Sequence, residues 1–389
     1  MTTDVPSAAR LRILVITSYL PGVGGGELQT ALQVETLARR GQMVTVLDIG
    51  SNPGAPSREV IHGVPVERVR APRWPLMEGV VAQAGFTLRL LRLLPRHDLI
   101  QFNHLSPELA ITRWLAARFK VPLVLVVWGS SRAGIGPFGP GWRHAQARRA
   151  ARKVRHVVAL GGETRLNLLA RGFREEQVEV ISNGVDMAAF RPGAGDPPAD
   201  LPANGPVVVS VGRMVPAKGY ALLLDAWQEI AGKSGQGTLV LLGDGPLLRD
   251  LEGGIERRGL AGRVIFTGLR RDISFWLAHA DAYVSSSLTE GMSNALLEAI
   301  ASGLPVVATR VGGAEDVVTE GENGFLVAPG SARELAQALQ RLLHDEGLRR
   351  AMGERARMRA RQEFSIDVIV DRYEQLFRRA VMENGQPER

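Results

Sequence analysis

Cysteine is absent from the 389 residues, which excludes disulfides and thiolate metal sites outright. The seven histidines show no metal-ligand spacing, so none of them is read as part of a metal site. No apolar run approaches the roughly 20 residues that a membrane span needs. The opening MTTDVPSAARLRILVITSYL lacks a basic start followed by a long apolar core and a cleavage site, so no signal peptide is read there. These absences predict a soluble, cytoplasmic protein. What is present is ordinary for a globular chain, with 45% hydrophobic and 22% charged residues. At roughly 150 residues per domain, the length suggests two or three domains.

The charge is unevenly placed. The first 192 residues carry about +11 and the remainder about −4, against an overall +7. A basic first half and an acidic second half are built to meet different partners. Basic surface suits anionic lipid, polyanions or nucleic acid, but no recognised nucleic-acid module accompanies it, so none is expected to bind.

In the first half, short β-rich runs alternate with helical stretches. LRILVIT (11–17) precedes a helix near 27–40 and then MVTVLD (43–48). DLIQF (98–102) precedes a helix near 107–119 and then PLVLVV (122–127). VRHVVAL (154–160) leads to a helix near 163–171 and then VEVIS (178–182). Strands that are apolar throughout, alternating with helices, predict parallel sheets covered on both faces. AFRPGAGDPPADLPANGP (189–206) has no hydrophobic periodicity and reads as a linker. Alternation restarts at PVVVSVG (206–212), with a helix from about Lys218, and continues through TLVLLG (238–243), RVIFTG (263–268), DAYVSS (281–286) and PVVAT (305–309). The expectation is two Rossmann-like, doubly wound α/β domains facing a cleft. The boundaries read as 1–190 for the first domain, 191–205 for the linker, 206–365 for the second domain, and 366–389 for a C-terminal helix returning toward the first domain, with its tail.

Four segments carry chemistry. In PGVGGGELQTALQVETLARRG (21–41), glycines stand between a strand and a helix, where backbone N–H groups can meet an anion. The dinucleotide fingerprint G-x-G-x-x-G does not fit, so a nicotinamide or flavin site is not expected. In VGRMVPAKGYALLLDAW (211–227), Arg213 follows a strand and Lys218 opens the next helix. Cations are usually placed at helix C-termini, so two at this edge make sense around a diphosphate. The plainer reading is two solvated surface charges. In LLGDGPLLRDLE (241–252), Asp244 either caps a helix or lies on the cleft edge. Finally, EGMSNALLEAIASG (290–303) places Glu298 in a stretch that is apolar nearly all round. A buried carboxylate is costly unless groups donate to it. A ribose diol would satisfy its two oxygens, as would a core arginine. Ser293 or Asn294 can cap the helix, Gly291 permits close backbone approach, and Glu290 is placed to accept from a hydroxyl further along the ligand.

In order, these segments resemble the family 4 retaining glycosyltransferases, which have the two-domain GT-B architecture. The likeness rests on Glu290-x7-Glu298 with EAIASGLPVVATRVGGAEDV, on VGRMVPAKG, LLGDGP, VIFTGL and ENGFLVAPG, and on GGGELQTALQVETLARRG and VISNGVDMAAFRP. It spans nearly the whole chain. The resemblance implies a hexosyltransferase-type, metal-independent enzyme of polysaccharide biosynthesis whose C-terminal domain binds a nucleotide sugar and whose N-terminal domain binds acceptor. It further implies that Arg213 and Lys218 hold the diphosphate and Glu298 the ribose. Glu290 with Gly291, Met292, Ser293 and Asn294 would hold the sugar. Gly25 and Gly26 would reach across the cleft, while Gly243, Asp244 and Leu269 would border the nucleobase. Glu290, Arg213 and Lys218 would be the catalytic group.

The resemblance departs at Trp128-Gly129, where many relatives carry His-Gly and the His faces the reacting sugar. Trp128 could stack on a sugar ring, and His104 in QFNHLSPE is a substitute whose plainer role is ordering a loop. On the same domain, WPLMEGVVAQAGFTLRLLRLLPRH (74–97) and WRHAQARRAARKVRH (142–156) mix basic with apolar residues. Such helices can lie on anionic membranes, or can pack on a core with arginines in water. The expected acceptor is a glycan, a lipid-linked sugar or a small molecule. The alternatives on this architecture are a nucleotide-sugar epimerase and a catalytically weak nucleotide-sugar-binding protein.

Overall fold

The computed structural model describes residues 10–17, 24–50, 55–69, 78–128, 142–193, 195–201, 205–233 and 237–384. Eight strands form the first sheet: β1 (Arg12–Thr17), β2 (Met43–Asp48), β3 (Arg58–Ile61), β4 (Val64–Arg68), β5 (Leu99–Asn103), β6 (Leu123–Val127), β7 (His156–Ala159) and β8 (Val178–Val180). Their spatial order is β3-β4-β2-β1-β5-β6-β7-β8. All neighbours are parallel except the β3–β4 hairpin. Between them run α1 (Gly25–Arg39), α2 (Glu78–Leu93), α3 (Glu108–Phe119), α4 (Trp142–Ala151) and α5 (Gly162–Leu169).

The strand residues divide by parity. Leu14 and Ile16 pack with α2 to α5 on one face, whereas Ile13 and Val15 pack with α1 on the other. That division is why the strands read as apolar throughout: both faces are covered.

The second sheet is wholly parallel, in the order β11-β10-β9-β12-β13-β14. Its strands are β9 (Val207–Val211), β10 (Thr238–Leu242), β11 (Val264–Gly268), β12 (Ala282–Ser285), β13 (Val306–Thr309) and β14 (Gly324–Val327). Its helices are α6 (Tyr220–Lys233), α7 (Leu248–Arg257), α8 (Ile273–Ala278), α9 (Asn294–Ala301), the short α10 (Ala314–Val317), α11 (Ala332–His344) and α12 (Glu346–Arg359). Val208, Leu239 and Leu241 face α6 and α11, while Val207, Val209 and Val240 face α8 and α9.

The chain then returns. Helix α13 (Ile366–Glu383) buries Ile369, Tyr373, Leu376 and Phe377 against α1 and the first sheet. Arg40, just past the end of α1, pairs with Asp367 at 2.9 Å. The two crossings between domains bond to each other, Val185 N–H to Phe364 O at 2.8 Å and Ile366 N–H to Val185 O at 2.9 Å.

In each sheet the order reverses about one strand, β1 in the first and β9 in the second. Ligands of open α/β sheets sit beyond the carboxyl ends of strands at such a reversal. Among the described residues no helix is long and apolar enough to cross a membrane.

Candidate functional site

A cleft of about 530 Å³ opens where the two reversal points meet. Its first-domain wall includes Gly24, Gly25, Gly26, Trp128 and Asn183, and its second-domain wall follows the ends of β9, β10 and β11 and the start of α9. Arg213, Lys218, Gly243, Asp244, Leu269, Glu290, Gly291, Met292, Ser293, Asn294 and Glu298 all line it. Residues far apart in the sequence therefore converge on one space. Among the described residues, no three His, Asp or Glu side chains converge as a metal would require.

Lys218 is not the start of a helix, contrary to the sequence reading. Pro216, Ala217 and Lys218 form a single tight 3₁₀ turn, and α6 begins only after Gly219. Gly219 has φ +65°, and a Cβ there would lie 2.2 Å from the Ser286 carbonyl oxygen. No other residue fits that position. The turn is held by the Ser286 hydroxyl, which donates to the Lys218 carbonyl at 2.9 Å. The Lys218 ammonium donates to Glu290 Oε2. The Glu290 carboxylate also accepts from the Ser287 hydroxyl and from the Gly291 N–H, each at 3.3 Å. The Arg213 guanidinium, by contrast, is exposed to the cleft with no hydrogen bond or ion pair to a described residue.

Asp244 does not cap α7, which starts at Leu248. It accepts from the neighbouring Gly245 N–H at 2.6 Å and remains on the cleft edge.

Ser293 caps α9, accepting from Leu296 N–H at 3.4 Å. Leu296, Leu297, Ala299 and Ile300 are buried, which leaves Glu298 half-buried on the cleft side, one turn into the helix. Its carboxyl finds no hydrogen bond or ion pair among the described residues, so the core-arginine alternative is not realised there. Burial, with nothing to offset it, pushes its pKa up to about 7. The site holds an acceptor waiting for donors.

Asn294 joins the walls: its amide donates to the Gly25 carbonyl at 2.8 Å and accepts from the Asn183 amide at 2.7 Å. Two further bonds cross on the other flank. Gly162 N–H donates to Asp316 at 2.9 Å, and Gly312 N–H donates to Glu163 at 2.6 Å. Sequence reasoning did not single out Asn183, Glu163 or Asp316. Their only local signal is position, at a strand end or beside paired glycines.

Trp128 follows β6 and lies on the glycine turn so closely that a Cβ at Gly26 would come within 2.3 Å of its ring. Gly129 lies outside the described residues. His104 does not line the cleft; it stands behind Trp128, ring centroids 4.3 Å apart and edge-on at 74°. Burial pushes its pKa down to about 4, so the ring is neutral. Its φ of +87° marks a strained turn after β5.

Residues 24–184 match the family model described as glycosyl transferase 4-like domain, and residues 205–345 match that described as glycosyl transferases group 1. The lipopolysaccharide core biosynthesis glycosyltransferase LpsD of Rhizobium meliloti (strain 1021) is 33% identical over 296 residues, 72% of this chain and 83% of that protein. LpsE of the same organism, likewise named a lipopolysaccharide core biosynthesis glycosyltransferase, is 38% identical over 177 residues. That alignment covers 46% of this chain and about half (51%) of LpsE. Among solved structures, Anabaena HepE in complex with UDP superposes with a TM-score of 0.78 at 24% identity, covering 95% of this chain and 100% of that one. WaaG, a glycosyltransferase involved in lipopolysaccharide biosynthesis, superposes with a TM-score of 0.69 at 18% identity, covering 94% and 99%. The chain is thus a member of the family 4-type, group 1 glycosyltransferases, folded as a GT-B enzyme.

Proposed function

We propose that the cleft transfers a sugar, with retention of configuration and without a metal, from a nucleoside-diphosphate sugar to a hydroxyl of a glycan or lipid-linked acceptor. The observation that carries this reading is the convergence of Arg213, Lys218, Glu290 and Glu298 around one space. Two cations suit a diphosphate, Glu298 suits a ribose diol, and Glu290 suits a sugar hydroxyl. The crystallised UDP complex of HepE and the lipopolysaccharide-core relatives support a nucleotide-sugar donor and a glycan acceptor. The same relatives favour transfer over the epimerase and sensor alternatives.

In the step itself the acceptor oxygen bonds to the anomeric carbon as the bond from that carbon to the phosphate oxygen breaks. The acceptor proton passes to the departing phosphate, on the same face. Arg213 and Lys218 stabilise the growing negative charge, as preorganised cations do best in a water-poor site. A diphosphate entering between them competes with Glu290 for the Lys218 ammonium.

Thermal shift with a panel of nucleotide sugars, on wild type and Glu298→Ala, tests the donor assignment. A shift for one base that the variant loses is expected; no shift with any nucleotide overturns the reading. The anomeric configuration of the product by NMR, with and without EDTA, tests retention and metal independence.

We also infer peripheral contact with anionic membrane through the arginine-rich distal halves of α2 and α4. The separate basic segments of the sequence flank α3 in one layer, which supports it. Flotation with phosphatidylglycerol vesicles at low and high salt tests it, and absence of salt-sensitive binding would count against it.

A further inference from the structure

We propose that a groove on the outer layer of the first domain is a second carbohydrate subsite, which holds sugar residues of the acceptor away from the reacting hydroxyl. This rests on the reading that the acceptor is a glycan.

The groove, of about 320 Å³, lies across α2, α3 and α4 and is lined by Gln83, Thr87, Pro107, Ile111, Trp114 and Gln146. Trp114 is 62% exposed. The Gln83 and Gln146 side-chain amides have no hydrogen-bond partner among the described residues, while Thr87 is turned inward to the Gln83 carbonyl at 2.7 Å. Among the described residues no charged side chain lines the groove. A flat indole beside free amides matches a neutral sugar: the C–H face of the ring rests on the aromatic, and hydroxyls meet amide donors and acceptors. Among these lining residues a phosphate or anionic headgroup would find no cation. The cations of α2 and α4 whose side chains are described, Arg89 and Arg92 of α2 and Arg148 and Arg149 of α4, sit in the other halves.

Topology places the groove beside the cleft. Helices α2 and α4 end before the starts of β5 and β7, so their first halves lie at the carboxyl edge of the sheet, where the cleft is. Helix α3 starts at that edge, directly after β5. Pro107 lies in the loop that begins at His104, which backs Trp128. Four residues reach at most about 14 Å. An acceptor leaving the cleft past Trp128 therefore meets the groove within a few sugar residues.

The test uses the oligosaccharide pool released by mild acid from lipopolysaccharide, observed by saturation-transfer NMR on the full chain. Wild type should bind; Trp114→Ala should weaken binding about tenfold, with Trp114→Phe in between. The exposed position lets the variants fold, which an unchanged thermal shift by nucleotide sugar verifies. No binding of this pool, or binding indifferent to Trp114, overturns the subsite. So does loss of phosphatidylglycerol-vesicle flotation in Trp114→Ala with oligosaccharide binding intact, which would make the groove a membrane contact. A wild type that gives no shift with any nucleotide sugar would instead defeat the donor reading, so the two failures are distinguishable.

Discussion

Glu298 shows how far one residue can be read. Its acidity inside an apolar helix is visible in the sequence, and the structure supplies what the sequence could not: the carboxyl faces the cleft and has no partner among the described residues. Its folded pKa, about 7 against 4.5, sets two opposite pH dependences. Between those values the folded state holds a proton the unfolded chain has released. Stability therefore falls as pH rises through this window, by up to about 3 kcal/mol. Glu298→Gln should equal wild type in urea denaturation near pH 4.5 and exceed it near pH 8. Donor affinity should run the other way, because a ribose diol donates to the ionised form. For a nucleotide sugar, whose diphosphate does not titrate here, wild-type affinity should rise severalfold from pH 5.5 to pH 7.5 and level off. A flat profile in wild type, or an unchanged slope in Glu298→Gln, would remove Glu298 from the ribose site. The pairing of Lys218 with Glu290 was not legible, since 72 residues separate them and only the fold brings β9 and β12 side by side.

At the scale of elements, legibility followed burial. The central strands announce themselves because both faces are covered, and the second-domain runs fall within a residue or two of β9 to β13. The β3–β4 hairpin went unread because its strands lie at a sheet edge, half-exposed and interrupted by Pro65, and its turn rests on His62 and Gly63 at φ +47° and +82°. The Lys218 turn was misread for a related reason. Pro216 and Gly219 compress it into a 3₁₀ turn where periodicity alone continues the helix. Two glycines test this account. Gly219→Ala forces a left-handed alanine against the Ser286 carbonyl and should cost about 2–3 kcal/mol while weakening nucleotide-sugar binding through the displaced Lys218. Gly253→Ala, inside α7 with nothing within 4 Å of its Cβ, should stabilise by about 0.5–1 kcal/mol. Urea midpoints measure both, and equal effects would mean the turn does not depend on Gly219.

At the scale of the molecule, the domains meet through a clamp at the crossings and through small polar bonds across the cleft. Val185, Phe364 and Ile366 bind the two crossing segments together, which makes them the fixed end. The free end is closed by Glu163 on Gly312 N–H and Asp316 on Gly162 N–H, each carboxylate from one domain reaching backbone of the other. Gly313 N–H in turn donates to Gly291 O at 2.8 Å, so this contact supports the loop that carries Glu290. Hydrogen bonds to charged groups contribute about 1.5–3 kcal/mol, so Glu163→Ala and Asp316→Ala should each lower kcat/KM about tenfold. Both bonds hold the same closed arrangement, and once one is gone the other has less to hold. The double variant should therefore fall little below the worse single one rather than a hundredfold. With nucleotide sugar present, its radius of gyration by small-angle scattering should exceed that of wild type. Fully additive losses with no expansion would mean each carboxylate acts only on its own surroundings, and closure would then rest on Asn294 and its bonds to Gly25 and Asn183.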